Sequence, residues 1–388
     1  MLSLDHQFGI YVHWPFCLSK CPYCDFNSHV RETVDQDAFK AAYIRELEFY
    51  AQLTNHLPVS SIFFGGGTPS LMPVDTADEI INTIQKNWKI KNDIEITLEA
   101  NPTSIEREKF QGFRAAGINR VSIGVQSLND NDLKALGREH SADEALKAID
   151  TARDVFDRYS FDLIYAREGQ SLKDWEHELS RALKYADGHV SLYQLTIEPG
   201  TAFHTRFQRG DLTIPEEDDA VDFYNITQDI MGAAGLPAYE TSNHAAVGQE
   251  SRHNMIYWRY GQYAGIGAGA HGRINIDGKR HATRAHRGPE IWRDLALENG
   301  HGAHPFEALD KKAMGEEALM MGLRLTAGLD LQQFYAETGC AVSDVADENK
   351  IKTLVDEGLL ISDNKILKAT PRGMLCLNAV LSYIIRAE

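Results

Sequence analysis

Along the first half of the chain, short apolar runs alternate with longer stretches in which apolar residues return every three or four positions. The short runs, at 8–12, 61–64, 94–98, 120–125, 161–165 and 190–195, are rich in Ile, Val, Phe, Leu and Tyr and predict six strands. The stretches between them read as amphipathic helices. In 37–53, for example, Phe39, Tyr43, Ile44, Leu47, Tyr50 and Leu53 fall at helical spacing. Strand-then-helix units repeated in this way imply a parallel sheet with right-handed crossovers. The expected class is α/β, as a doubly wound sheet or a partial barrel.

After about residue 198 the pattern changes. A helical run at 218–231 leads to His253-Asn254-Met255-Ile256-Tyr257-Trp258 and then to a glycine-rich stretch from Tyr263 to Gly272. A third pattern begins near 305. Helical periodicity at 314–325, 331–338 and 351–357 precedes two short apolar runs, 359–361 and 366–368, that flank Asp363-Asn364 as a hairpin, and Pro371 opens a last helix to Arg386. That order resembles a winged-helix unit. The chain is expected to divide into 1–200, 201–304 and 305–388, one large domain with smaller additions.

Composition narrows the partners. With 39 basic against 56 acidic residues, the net charge of −17 argues against a nonspecific grip on nucleic acid. The winged unit, lacking a strongly basic face, is expected to be a lid or docking domain. A local basic patch of Lys279, Arg280, Arg284 and Arg287 reads as a solvated face. Residues 1–7 show no basic start followed by an apolar run, and no stretch reaches the roughly 18 apolar residues of a membrane span. The expectation is a cytoplasmic protein that reaches a membrane only through a partner.

The chemistry gathers near the N-terminus. Three of the five cysteines, Cys17, Cys21 and Cys24, are spaced C-x3-C-x2-C in a stretch whose Pro15 and Pro22 exclude regular helix. Such a triplet on a loop reads as a metal site. Three thiolates are one too few for a closed zinc site unless His13 or His29 completes it, whereas a 4Fe-4S cluster on three cysteines keeps one iron open. That iron can chelate the amino and carboxylate groups of S-adenosyl-L-methionine and pass an electron to its sulfonium, cleaving an S–C bond. Cys340 and Cys376 lie far away and read as buried thiols.

Ligands of parallel sheets bind beyond the carboxyl ends of the strands. The second run is followed by Gly65-Gly66-Gly67-Thr68-Pro69-Ser70, where glycine lets backbone approach a ligand. Glu99-Ala100-Asn101-Pro102 ends the third, Gln126 and Ser127 close the fourth with Arg138 soon after, Asp162 lies in the fifth, and Thr196-Ile197-Glu198-Pro199-Gly200-Thr201 ends the sixth. Singly, each reads equally as a turn or a helix cap. Together they suit one nucleotide-sized ligand over one sheet edge.

The cysteine loop, Gly65-Gly66-Gly67-Thr68-Pro69-Ser70, Ile123-Gly124-Val125-Gln126-Ser127, Phe161-Asp162-Leu163-Ile164-Tyr165 and His253-Asn254-Met255-Ile256-Tyr257-Trp258 jointly resemble the HemN/HemW branch of the radical SAM superfamily, from Tyr11 over nearly the whole chain. The resemblance implies a partial (βα)6 radical SAM barrel with a C-terminal winged-helix-like α+β domain. It makes Cys17, Cys21 and Cys24 ligands of a 4Fe-4S cluster, and Tyr11, Tyr23, Gly66, Gly67, Thr68, Glu99, Gln126, Arg138 and Asp162 contacts of S-adenosyl-L-methionine. Arg138 would pair with the methionyl carboxylate. His253 would ligate haem iron with Tyr257 and Trp258 stacked on the porphyrin, His271 and His244 being competitors.

The branch contains haem chaperones and oxygen-independent coproporphyrinogen III oxidases. The oxidases resemble a C-x3-C-x2-C-x-C pattern and carry a longer leader, whereas Phe26 stands at the fourth cysteine's position here. The implied function is a haem chaperone that holds the cluster, S-adenosyl-L-methionine and haem and delivers haem to acceptors such as respiratory cytochromes. Coproporphyrinogen III dehydrogenase activity is not expected; a haem-binding module with a vestigial cluster is the remaining alternative. Two positions depart from the family pattern: Arg167-Glu168-Gly169-Gln170 replaces Leu-Pro-Gly-Gln, and Ser251 stands where a cysteine is common.

Overall fold

The computed structural model describes residues 8–386, so the reading of residues 1–7 lies outside the described residues. Six strands form where the apolar runs predict them: Phe8–Trp14, Val59–Gly66, Ile90–Ala100, Arg120–Gln126, Arg158–Tyr165 and His189–Gln194. Each lies parallel to the next in sequence. Helices such as Gln36–Thr54, Val74–Asn87, Ala142–Val155 and Leu172–Ala182 cross between them. The last two begin on capping boxes, Ser141 with Glu144 and Ser171 with Asp174, which satisfy backbone donors at the helix start.

Side chains alternate across the sheet, and the two faces differ in chemistry. Ile10, Val12, Ile62, Phe64, Leu98, Val121, Ile123, Phe161 and Leu163 are wholly buried in the main core. The intervening positions carry Tyr11, Thr97, Glu99, Arg120, Ser122, Ser160, Asp162, Ser191 and Tyr193 on the other face. A fold of this class thus has a greasy exterior packed under helices and a polar interior.

The sheet is larger than the six strands read from sequence. Gln262–Ile266 adds a seventh parallel strand on the free edge of Phe8–Trp14, and His271–Ile276, Lys279–Arg284 and Glu307–Ala308 continue it antiparallel. Asn243–Ala245 closes the opposite edge against His189–Gln194, giving eleven strands among the described residues. Gly265 explains why the seventh strand is disguised, because a Cβ there would lie 2.0 Å from the His271 carbonyl oxygen. The region 201–304 therefore extends the sheet at both edges and shares its core through Phe223, Met231 and Trp292. Glu46, wholly buried on Gln36–Thr54, ties this region in by accepting from Gly267 N–H (2.8 Å), Gly302 N–H (2.9 Å) and Trp292 Nε1 (2.8 Å). Burial pushes its carboxyl up to about 7.

Beyond Asp310 a second core gathers Leu319, Leu323, Phe334, Leu360, Leu367 and Ile384. It holds the helices Lys311–Gly322, Leu331–Thr338 and Glu348–Asp356 and a three-stranded wing of Leu329–Asp330, Ile366–Ala369 and Leu360–Ser362. The last helix departs from expectation: it breaks at Cys376, which leaves helical geometry at φ −124°, into Pro371–Leu375 and Leu377–Ile384. Cys340 is buried as read, whereas Cys376 is half-buried. The module docks through Glu317, which accepts from Tyr260 Oη (2.7 Å) and Arg273 Nη2 (2.6 Å), and through Arg280 with Glu337 (2.8 Å). Arg280 is 3% exposed and so leaves the solvated patch assigned to it. Among the described residues no helix is long and apolar enough to cross a membrane.

Candidate functional site

The chain leaves the first strand at Trp14-Pro15, and Phe16–Cys17 then pairs with His29–Val30, closing residues 17–29 into a loop at the carboxyl edge of the sheet. All three of its thiols are half-buried. Each has its own polar neighbour: Thr68 Oγ1 donates to Cys17 Sγ (3.4 Å), Arg138 Nη1 donates to Cys21 Sγ (3.3 Å), and Ser28 Oγ lies 3.8 Å from Cys24 Sγ. Burial pushes the Cys17 and Cys24 thiols up. Among the described residues, no three His, Cys, Asp or Glu side chains converge as a single metal ion requires. A donor set of three soft sulfurs spread over one loop fits a polynuclear cluster, in which each cysteine takes its own iron.

His13 does not complete a zinc site. Its Nδ1 meets Tyr11 Oη at 2.9 Å and its Nε2 meets the Asn27 carbonyl at 2.9 Å, and burial lowers it to about 4. The glycine triplet packs against the same loop. A Cβ on Gly67 would lie 2.7 Å from the Phe16 carbonyl oxygen and 3.0 Å from Cys17 Sγ, and Gly66 adopts φ +115° with its N–H donated to Glu99 Oε2 (3.2 Å). Bare backbone here lets loop and strand end meet.

Gln126 ends the fourth strand at φ +70°, a left-handed backbone for a residue with a Cβ, beside a register shift in the ladder. Strain of this kind persists only where surrounding structure enforces it. Ser127 Oγ and Leu128 N–H both donate to Glu178 Oε1 (2.6 and 2.7 Å), while Arg167 bridges Glu178 (2.5 Å) and Asp132 (2.8 Å). The departure at Arg167 therefore builds a buried ion-pair network under this strand end, with Arg167 only 4% exposed. Arg138 spans from Cys21 to the Gly124 carbonyl (2.8 Å), and Tyr23 adds its phenol to Arg138 and its ring to Phe203.

Within the polar face of the strands lies a cavity of about 220 Å3 lined by Tyr11, Glu99, Arg120, Asp162, Tyr193 and His253 among others. Glu99 keeps a face on the cavity while protein shields the rest of it. Burial, then the charge of Asp162, push Glu99 up to about 8, and burial pushes Asp162 up to about 6. Carboxyls held near neutrality without an ion pair can accept hydroxyls or take a cationic group at little cost in desolvation. Arg120, Ser122 and Ser191 line the same space and were not singled out by motif; their signal is a polar residue at every second position of an apolar strand.

The fold thus brings Cys17, Cys21, Cys24, Tyr23, Gly66, Gly67, Thr68, Gln126 and Arg138 to one end, with Tyr11, Glu99 and Asp162 in the adjoining cavity. His253, the expected haem ligand, lies in the wall of that cavity and is buried. Its segment is a helix, Arg252–Trp258, capped by the buried Ser251, and the ring is 1% exposed with Nδ1 2.8 Å from Ser61 Oγ and Nε2 2.7 Å from Tyr257 Oη. Both ring nitrogens are thus engaged by hydroxyls of the protein. Trp258 lies under the Arg324 guanidinium at 5.1 Å, and His244 is 1% exposed, whereas His271 is exposed.

The family profile described as "Radical SAM superfamily" matches residues 11–182, and that described as "HemN C-terminal domain" matches residues 309–376. The chain is 38% identical to "Radical S-adenosyl methionine domain-containing protein 1, mitochondrial" of Bos taurus, over 97% of this chain and 87% of that one. It is 34% identical to "Heme chaperone HemW" of Bacillus subtilis (strain 168), over 97% and 98%, and 35% identical to that of Escherichia coli (strain K12), over the same shares. The solved coproporphyrinogen III oxidase HemN of Escherichia coli superposes with a TM-score of 0.82 over 97% of this chain and 90% of that one; at 22% identity this likeness shows the fold.

Proposed function

This chain belongs to the HemN/HemW branch of the radical SAM superfamily, and from that premise we propose that it is a haem chaperone that binds haem and delivers it to acceptor proteins such as respiratory cytochromes. Membership implies a 4Fe-4S cluster and S-adenosyl-L-methionine. Cys17, Cys21 and Cys24 would hold the cluster, and Tyr11, Tyr23, Gly66, Gly67, Thr68, Glu99, Gln126, Arg138 and Asp162 would surround the nucleotide. When bound, the cluster supplies an electron to the sulfonium. The protein's own part is to fix the thiols through Thr68 and Arg138, to offer Arg138 to a carboxylate, and to offer Glu99 and Asp162 to hydroxyls or a cation. We place the protein in the cytoplasm, with membranes reached through the haem acceptors.

The observation that carries this reading is the cysteine loop: three thiols gathered at the sheet edge, followed by Phe26, 59% exposed, at the position where the oxidases resemble a fourth cysteine. The test offers anaerobically reconstituted protein either haem or coproporphyrinogen III. Retained haem that passes to an apocytochrome, with no decarboxylated product, is the expected result; decarboxylation would make the protein an oxidase. Reconstitution should load about four irons per chain, and Cys17→Ala, Cys21→Ala or Cys24→Ala should each abolish loading.

A further inference from the structure

His271 and the cations beside it stand at the same end of the sheet as the cysteine loop. Gln262–Ile266 runs parallel to Phe8–Trp14, so its carboxyl end lies next to the loop; His271–Ile276 then turns back, and Lys279–Arg284 returns. The register sets His271 opposite Arg284 at that end. The loop is pinned to this corner by Asn27, whose Nδ2 donates to the carbonyls of Ala268 (2.9 Å) and Arg287 (3.0 Å) and whose Oδ1 accepts from Arg287 Nε (3.4 Å). Gly269 has no room for a Cβ, which would lie 2.3 Å from Asn27 Nδ2.

Two properties mark this corner. The first is apolar exposure: Leu18 (59%), Phe26 (59%) and Val30 (47%) on the loop, with Ile291 (56%) on the neighbouring helix Pro289–Asn299. The second is charge. In a protein of net charge −17, Lys20, Arg284 and Arg287 are exposed and make no ion pair among the described residues, while Arg31 neutralises Glu290 (2.9 Å) and leaves Asp25 on the loop and Glu32 just beyond it as acids. His271 is exposed and its ring makes no hydrogen bond among the described residues, unlike His253 and His13. Partial burial and the charges of Arg273, Arg284 and Arg287 lower its pKa, which favours the neutral imidazole.

We propose that haem docks on this face, with its macrocycle against Leu18, Phe26 and Val30, its propionates met by Arg284 and Arg287, and its iron ligated by His271. The match is chemical: a flat apolar ring bearing two carboxylates and an iron meets exposed apolar side chains, two guanidiniums with no ion pair and an imidazole with no hydrogen bond among the described residues. The inference rests on the haem-chaperone reading and deepens it, by setting the cargo beside the cluster loop and away from the buried HNxxYW helix.

The experiment titrates haem into full-length, anaerobically reconstituted wild type, His271→Ala, His271→Met, His29→Ala and the double variant Arg284→Glu/Arg287→Glu, reading the Soret band, affinity and iron content. His271→Ala should shift the Soret maximum and weaken binding about tenfold or more, the equivalent of 1.4 kcal/mol. Added imidazole should restore the wild-type band, and His271→Met should give a third spectrum. The charge reversal should weaken binding and flatten its dependence on salt, with the iron content measured before haem is added unchanged in every variant. If wild type binds no haem, the chaperone reading itself falls. If wild type binds while His271→Ala and the charge reversal titrate identically to it, or if His29→Ala alone changes the spectrum, the chaperone reading stands and this docking face is wrong.

Discussion

Replacing His253 by alanine separates a strut from a ligand. The ring is 1% exposed, bonds Ser61 Oγ at 2.8 Å and Tyr257 Oη at 2.7 Å, and stacks on Phe63 with centroids 5.2 Å apart. Alanine leaves two buried hydroxyls without this partner and opens a void where the ring was, an expected loss of about 3–5 kcal/mol at pH 7. The pH dependence is more diagnostic than the size. Burial lowers this imidazole from 6.5 to about 3, so the folded protein keeps it neutral in a range where the unfolded chain protonates it. A depressed group of this kind contributes its stability in full above pH 6.5 and forfeits it as pH falls toward the folded value, at about 1.4 kcal/mol per unit.

The alanine variant has no such slope. Its deficit should therefore shrink by about 2 kcal/mol between pH 7 and pH 5, which lies about 1.5 units below the unfolded value. Urea unfolding of the metal-free protein followed by circular dichroism at pH 7, 6 and 5 reads this directly, and a parallel haem titration should find affinity retained under conditions where the variant is folded. A deficit below about 1 kcal/mol that does not change with pH, accompanied by loss of the Soret band, would show that His253 faces a ligand and that the packing argument is mistaken.

Three further outcomes follow from the site and the core. Gly67→Ala places a methyl 2.7 Å from the Phe16 carbonyl oxygen, so the cysteine loop must move; the protein should fold with a loss of about 1–3 kcal/mol and load less iron, measured by iron content against unfolding midpoint. Glu99, held up to about 8, should ionise as a cationic nucleotide binds, so affinity for S-adenosyl-L-methionine in reconstituted protein should rise from pH 6 to pH 8 and stay flat in Glu99→Gln, by calorimetry. Glu46→Gln turns an amide N–H2 toward backbone or indole donors and should cost about 1–3 kcal/mol. Because the wild-type carboxyl is raised from 4.5 to about 7, its stability is complete below pH 4.5 and is lost as pH rises through 7, so the variant's deficit should be largest at pH 5 and narrow by pH 8 in thermal unfolding.

Much of the fold was legible because parallel strands buried under helices must be apolar, and the six runs before residue 200 satisfy that without ambiguity. Gln262–Ile266 was not legible. Two of its five residues, Ala264 and Gly265, are small, and the need for Gly265 arises from the His271 carbonyl that crosses there, a contact between segments that local periodicity cannot report. Glu46 was hidden in the opposite way. It sits in the apolar stripe of Phe39, Tyr43, Leu47 and Tyr50, and a carboxylate in such a stripe reads as solvent-facing until the donors of Gly267, Gly302 and Trp292 are brought to it.

The site divides along the same line. Loop cysteines and strand-end glycines carry their meaning in local spacing, so Cys17, Cys21, Cys24, Gly66 and Gly67 fall together as their positions at strand ends require. Whether a histidine offers a lone pair depends instead on what lies across from it, and sequence is silent there. In His253-Asn254-Met255-Ile256-Tyr257-Trp258 the helix spacing of four brings Tyr257 Oη onto His253 Nε2, and the second strand brings Ser61 Oγ onto Nδ1, so the residue with the most suggestive neighbours is the one whose donors and acceptors are already used. His271 has plain neighbours in sequence, yet the strand that carries it has this residue at the carboxyl edge, beside Arg284 and Arg287, which make no ion pair among the described residues. An imidazole binds iron through a nitrogen left over after the protein's own hydrogen bonds are made, and that remainder is set by the fold.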